Sequence, residues 1–111
     1  MESNGILLVA IINKEYSDLV MEAAKISGAR GGTIFNARGT GNKEMGEFFG
    51  VPIQPEKEIV LILVENSIKD KCLLNIYKNA GLETRGQGIV FALPVEDMLG
   101  LMPLDLKEEE K

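Results

Sequence analysis

The stretch Gly5-Ile6-Leu7-Leu8-Val9-Ala10-Ile11-Ile12 is a continuous apolar run of strand length. A continuous run, rather than an alternating one, is typical of a strand buried on both faces, or of a central strand of a sheet. Two similar runs follow, EIVLILV at 58–64 and GIVFALP at 88–94. A shorter run at 33–37 completes a set of four predicted strands.

Two segments between these runs have helical spacing of apolar residues. The first carries them at 16, 19, 20, 23 and 26, which predicts a helix over 16–27 that Gly28 ends. The second helix is expected to start at Asn66 or Ser67, with one of these side chains as its cap, and to run to 79. Its predicted apolar face comprises Ile68, Cys72, Leu73, Ile76, Tyr77 and Ala80.

The resulting order is β-α-β-β-α-β, which predicts an α+β, ferredoxin-like domain. Such a domain has a four-stranded antiparallel sheet with two helices on one face. The strands are too apolar for the other face to meet water, so we expect a homo-oligomer that stacks these faces. Residues 1–104 are predicted to form this single domain, and the charged segment 105–111 to be a disordered tail.

Composition excludes several kinds of function. The 111 residues carry a net charge of −5, which argues against nucleic-acid binding through phosphates. The chain has no His and a single Cys, Cys72, so no metal site, catalytic imidazole or intramolecular disulfide is expected. Cys72 is predicted to pack in the core. The start of the chain has neither a basic segment nor an apolar run of membrane length, so we expect a cytoplasmic protein without membrane insertion.

Each arginine of the chain is followed by glycine. The three segments are Arg30-Gly31-Gly32, Arg38-Gly39-Thr40-Gly41 and Arg85-Gly86-Gln87-Gly88, and each is expected at a strand end. Glycine lets a ligand approach the backbone closely, and a guanidinium suits phosphate or carboxylate. Together they predict a cradle for an anionic small molecule. The alternative is that they are ordinary turns with solvated arginines, since neither a dinucleotide fingerprint nor a P-loop motif is present.

Several segments resemble the PII family of nitrogen-regulatory signal proteins, over about residues 6–101. They are Gly31-Gly32-Thr33-Ile34, the turn that begins at Arg38, the run 58–64 and the segment 86–97. The last looks like the family's G-D-G-K-I-F-V-x-P-V-E signature. The resemblance implies a homotrimer with its sheets packed inward and nucleotide sites at subunit boundaries. It also implies an exposed loop between the second and third strands that binds target proteins.

The sequence departs from the family where phosphates are bound. The family's G-F-G-R-Q is replaced by Gly39-Thr40-Gly41-Asn42-Lys43, so its phosphate-binding Arg becomes Asn42 and its 2-oxoglutarate-linked Gln becomes Lys43. The Lys of G-D-G-K becomes Ile89, and the C-terminal R-x-R aligns with Gly100 and Met102. Arg38 and Arg85 are the expected partial replacements.

From the turns and the resemblance together we predict one set of ligand-binding residues. These are Thr33, Arg38, Gly39, Gly41, Asn42, Lys43, Arg85, Gly86, Gln87 and Gly88. The partner-binding loop is expected at 42–57, where Phe48 and Phe49 either form an apolar contact patch or fill the core. The loop contains no Tyr, so the family's uridylylation has no acceptor there.

The leading hypothesis is a trimeric sensor of an anionic small molecule that regulates a transporter or enzyme in nitrogen or related metabolism. Its ligand would be ATP, ADP, AMP or a smaller anion such as bicarbonate or a 2-oxo acid, with no obligatory cofactor. The alternative is a structural or interaction trimer that has lost nucleotide binding. An enzyme is not expected, because no nucleophile–base pair is present and Glu96-Asp97 is read as a solvated turn. An RNA-binding sheet lacks its basic and paired aromatic residues.

Overall fold

The computed structural model describes residues 4–40 and 56–100. Within them the chain has the order βαββαβ that the apolar runs predict. The elements are β1 Gly5–Asn13, α1 Ser17–Ile26, β2 Thr33–Arg38, β3 Glu56–Glu65, α2 Asn66–Asn79 and β4 Gly88–Pro94. The α+β, ferredoxin-like fold is therefore confirmed.

The sheet has the strand order β2-β3-β1-β4, and all three pairings are antiparallel. The two longest apolar runs, β1 and β3, occupy its centre. In the middle of β1, Val9 lies opposite Leu61 of β3 and Phe91 of β4. A central strand is paired on both sides, which satisfies its backbone donors and acceptors without water.

The core lies between both helices and one face of the sheet. Alternate residues of the central strands point into it, and Leu8 of β1 and Ile62 of β3 are completely buried. From the helices, Val20 of α1 and Cys72 and Ile76 of α2 complete the same cluster. The packing expected for Cys72 is confirmed, and burial raises the pKa of its thiol.

Local details differ from the sequence predictions. Helix α1 begins one residue later and ends one residue earlier than expected, before Gly28, whose φ is 112°. The predicted cap of α2 is wrong: the capping position is Glu65, and no side chain caps the helix there. Tyr77 was expected on the buried face but is 47% exposed, because α2 turns it away from the sheet. Residues 42–55 of the predicted partner-binding loop and the tail at 105–111 lie outside the described residues.

The second face of the sheet is apolar and carries neither helix. By the strand register it comprises Leu7, Val9, Ile11, Phe35, Ile59, Leu61, Leu63, Ile89, Phe91 and Leu93. We name this set the outer face. The predicted alternative of central strands is confirmed for β1 and β3. Burial on both faces is not met in one chain, since Ile89 is 58% and Leu93 47% exposed. An apolar surface this continuous is unusual on a monomer.

A substitution at Gly88 is expected to be costly, because β4 begins there against the backbone of β1. An added Cβ would lie 2.5 Å from the Ile11 carbonyl oxygen and 2.9 Å from the Ile12 Cα. We expect Gly88→Ala to lower the free energy of unfolding by about 3 kcal/mol in chemical denaturation at fixed protein concentration. Gly31→Ala is the control, because a Cβ there meets no atom within 4 Å. Equal stability of the two variants would contradict this packing.

Candidate functional site

The residues with binding chemistry gather at one end of the sheet. The register places Asn13 opposite Lys57, Arg38 opposite Glu56, and Ile12 opposite Gly88. Strands β1 and β2 therefore end where β3 and β4 begin. We call this the Asn13 end of the sheet.

A pocket of about 270 Å³ opens at the Asn13 end, between the last residues of β2 and the first of β3. Its lining residues are Lys14, Asn36, Ala37, Arg38, Glu56 and Lys57. Three cationic side chains therefore face one carboxylate, although the whole chain carries a net charge of −5. A local excess of positive charge in a concave surface favours an anionic ligand.

The charged side chains of the pocket differ in whether they already have a partner in the protein. Lys14 Nζ lies 2.9 Å from Glu56 Oε2, and this carboxylate raises the pKa of Lys14 through a hydrogen bond and its charge. Both side chains are more than half exposed, so the ion pair adds little stability. Arg38 has no hydrogen-bonding or ionic side-chain partner among residues 4–40 and 56–100. Its guanidinium is therefore the group best placed to meet a ligand.

Asn13 joins the pocket to the turn that precedes β4. Its Oδ1 accepts a hydrogen bond from Lys57 Nζ at 2.5 Å. Its Nδ2 donates to Gln87 Oε1 at 3.0 Å and to the Gly86 carbonyl oxygen at 3.3 Å. The Asn13 backbone N–H also donates to the Gln87 carbonyl, at 3.2 Å. One residue of β1 thus links β3 to the turn that precedes β4.

The turn before β4 is anchored by the buried side chain of Gln87, whereas its Arg85 side chain is exposed. Gln87 is buried, and its amide nitrogen donates to the Ala80 carbonyl oxygen at 3.3 Å, beyond the end of α2. Gly86 has a φ of 82°, a conformation that glycine adopts without the cost a side chain would add. Arg85 is exposed and has no side-chain partner within the part of the chain that the structure describes.

A strained residue lies beside the pocket. Glu15 has a φ of 80°, which is uncommon for a residue with a side chain. Its N–H donates to Glu58 Oε1 at 2.6 Å, and Tyr16 N–H donates to the Asn13 carbonyl oxygen at 3.2 Å. These bonds fix the turn after β1 against the start of β3. Strained backbone of this kind concentrates at binding sites.

The structure separates some of the predicted ligand residues. Arg38 and Gly39 lie at the Asn13 end with the Arg85–Gly88 turn, but on opposite outer strands of the sheet. Three strand spacings of about 4.8 Å put them about 14 Å apart. Thr33 begins β2 and so lies about 16 Å from Arg38, toward the other end, with the Arg30 turn. The three turns therefore do not meet within one chain.

Other predicted site residues lie outside the described residues. These are Gly41, Asn42, Lys43, Phe48 and Phe49. Among the residues that are described, no cluster of three or more acidic or cysteine side chains is arranged to hold a metal ion. Neither α1 nor α2 has the length and apolar character that a membrane-spanning helix requires.

Comparison with known proteins identifies the family. The model of the family described as nitrogen regulatory protein P-II matches residues 6–102. The chain belongs to the P-II family. The resemblance read from its glycine turns and from the segment 86–97 is thereby confirmed. P-II proteins are regulatory proteins and not enzymes, which supports a P-II-type signalling role for this chain.

A solved P-II structure has the same fold. It is PII of Arabidopsis thaliana, crystallised with citrate, with a TM-score of 0.68 and 24% sequence identity. The match covers 89% of this chain and 84% of that chain. No curated protein matches the sequence.

Sequence reasoning missed part of the site. Asn13, Lys14 and Glu15 are not among the predicted ligand residues, and Lys57 is predicted only as the end of the 42–57 loop. Their partners are 42 to 74 residues away in the chain, so no local pattern reveals them. The usable signal is a polar residue placed directly after a buried strand, where loops carry binding groups on a rigid scaffold.

Proposed function

We propose that this P-II protein is a trimeric sensor of an anionic small molecule, which regulates a partner protein through the 42–57 loop. The observation that carries the proposal is the position of Arg38 and Arg85. Both guanidinium groups lie at the Asn13 end of the sheet, beside glycine turns, and neither has a side-chain partner among the described residues. Guanidinium groups of this kind suit phosphate and carboxylate oxygens.

The outer face supports a trimer. Its apolar residues cover all four strands, and in one chain several are more than a third exposed, including Phe91 at 38% and Leu63 at 39%. Stacking these faces around a threefold axis would remove them from water at about 25 cal/mol for each Å² of apolar surface buried. A closed ring also satisfies every copy of the interface equally.

A trimer supplies what one chain lacks at the ligand site. Arg38 lies on β2 and Arg85 precedes β4, so the two turns flank opposite sides of each subunit. In a closed ring, the β2 side of one chain faces the β4 side of the next. The ligand is then held at a subunit boundary, between the pocket of one chain and the Arg85–Gly88 turn of its neighbour. Its class is an adenine nucleotide or a smaller anion such as bicarbonate or a 2-oxo acid.

The pocket lies at the base of the partner-binding loop. Arg38 and Glu56, which line it, are register partners that bracket the intervening segment. A ligand in the pocket therefore contacts both ends of the segment whose conformation it would control. An order–disorder change of the loop would then favour or release a transporter or enzyme in the cytoplasm. Because such coupling is reciprocal, the partner would change ligand affinity by the same factor.

The proposal is tested by calorimetric titration with ATP, ADP and AMP, with and without magnesium, and with 2-oxoglutarate, bicarbonate and citrate. Citrate is included because the Arabidopsis PII was crystallised with it. We expect micromolar binding of one or more anions. Ligand at 100 times its Kd should then stabilise the fold by about 2.7 kcal/mol.

A second candidate, a structural or interaction trimer without nucleotide binding, is favoured by the replaced cations. Where the family has a Lys in its G-D-G-K turn, this chain has Ile89, which belongs to the outer face and is 58% exposed. A folded trimer that binds no anion of the panel would establish this candidate and overturn the sensor.

A further inference from the structure

We infer that Asn13 is a positioning residue that couples the pocket at the Asn13 end, which Lys57 lines, to the Arg85–Gly88 turn of the same chain. The inference deepens the proposed function and rests on it, because in the trimer these two elements belong to two different ligand sites. The carboxamide of Asn13 holds both elements at once. A change at either one is therefore transmitted to the other through a single side chain.

The two ends of the Asn13 carboxamide bind different partners. A carboxamide offers one acceptor oxygen and one donor nitrogen at fixed relative positions. Here the oxygen faces the ammonium of Lys57, and the nitrogen faces oxygens of Gly86 and Gln87. When an anion draws Lys57 toward the pocket, the Asn13 side chain loses its acceptor contact and is free to turn. Its hold on Gly86 and Gln87 then weakens as well.

The surroundings of Asn13 keep its backbone fixed while its side chain responds. Lys57 is the register partner of Asn13 on β3, and the backbone N–H of Asn13 donates a hydrogen bond to the Gln87 carbonyl oxygen. On the far side, Gln87 is buried and anchored to the Ala80 carbonyl oxygen, so a displaced turn pulls on the end of α2. The responsive element is therefore the side-chain relay of Lys57, Asn13 and Gln87.

The hydrogen bonds of Asn13 can transmit a change in the pocket to the turn more effectively than a direct charge interaction can. Lys57 and Gly88 lie on strands separated by β1, about 10 Å apart. At that distance a direct charge effect is weak at physiological salt. A chain of hydrogen bonds through Asn13 transmits a displacement over the same span without such loss.

The test compares backbone amide NMR signals of Gly86, Gln87 and Gly88 in the full-length protein without ligand. We expect Lys57→Met to move these signals about threefold more than Lys14→Met, which removes another lysine from the same pocket. In an Asn13→Ala background the two substitutions should move them equally. If Lys57→Met moves the turn signals as much without Asn13 as with it, the inference is overturned.

The variant Asn13→Asp distinguishes a role of Asn13 in positioning the turn from a general role in stabilising the fold. It keeps an oxygen for Lys57 but replaces the nitrogen that donates to Gly86 and Gln87. We expect the turn signals to move while Lys57 keeps its contact with the side chain at position 13, seen as a retained cross-peak between the Lys57 Cε protons and the Cβ protons of that residue. Loss of this cross-peak together with movement of the turn signals would assign Asn13 a general structural role and contradict the inference. This variant also serves if Asn13→Ala does not fold.

Ligand titration distinguishes this inference from the proposed function. We expect Asn13→Ala to tighten binding of ATP or citrate by about fivefold, because Lys57 no longer gives up a hydrogen bond worth about 1 kcal/mol when it meets the anion. Affinity equal to or weaker than that of the wild-type protein would contradict the inference. If neither probe binds the wild-type protein, the proposed function fails, while the amide comparison still decides the role of Asn13.

Discussion

Phe91→Glu is expected to convert the proposed trimer into monomers. Phe91 lies at the centre of the outer face, opposite Val9 of β1, and is 38% exposed in a single chain. Burying a phenylalanine contributes about 2–3 kcal/mol for each subunit, and burying an unpaired carboxylate costs several kcal/mol more. The trimer should therefore weaken by at least about a thousandfold, which sedimentation velocity over a range of concentrations would measure.

Ile26→Glu is the matched control for this substitution. Ile26 is 68% exposed and ends α1, which packs on the opposite face of the sheet. The change in charge is the same, but it should leave the trimer intact. Circular dichroism would establish that both variants keep the fold. A Phe91→Glu protein that remains trimeric would show that the outer face is not the interface.

Arg38→Ala and Arg85→Ala are each expected to weaken anion binding by about 10- to 150-fold. This is the effect of losing one hydrogen bond to a charged group, about 1.5–3 kcal/mol. Both side chains are exposed, so neither variant should lose much stability. Calorimetric titration with the anion that binds the wild-type protein most tightly would measure the loss.

Lys25→Ala controls for the general loss of positive charge. Lys25 is exposed in the last turn of α1, away from the strands that form the pocket. We expect its affinity for the anion to match that of the wild-type protein. Equal affinity of all three variants would remove Arg38 and Arg85 from the ligand site. A loss that disappears at high salt would indicate nonspecific attraction instead.

The fold was predictable because its strands are marked by composition. The run at 88–94 coincides with β4, since Gly88 and Pro94 bound an uninterrupted apolar segment. The central strands were recognisable for the same reason. The start of α2 was harder: Asn66 and Ser67 look like caps, but the strand continues to Glu65 and the helix follows at once. Tertiary pairing decides that boundary, and local preference does not.

The candidate site was only partly predictable. Glycine turns beside Arg38 and Arg85 pointed to anion binding and to strand ends, but not to their placement on opposite outer strands. The sheet order, in which β1 separates β3 from β4, sets that distance and cannot be read from the turns alone. The role inferred for Asn13 depends on partners in β3 and in the turn before β4, so it became visible only when the register was known.

The central claim is that an anionic ligand lies between two subunits, held by Arg38 of one and Arg85 of the next. Mixing Arg38→Ala and Arg85→Ala subunits tests it directly. In every mixed trimer one boundary then combines an intact Arg38 with an intact Arg85, whereas no single chain contains both. We predict that mixed trimers, verified by native mass spectrometry, bind one ligand each with wild-type affinity. Mixed trimers that bind no more tightly than the separate variants would contradict the account.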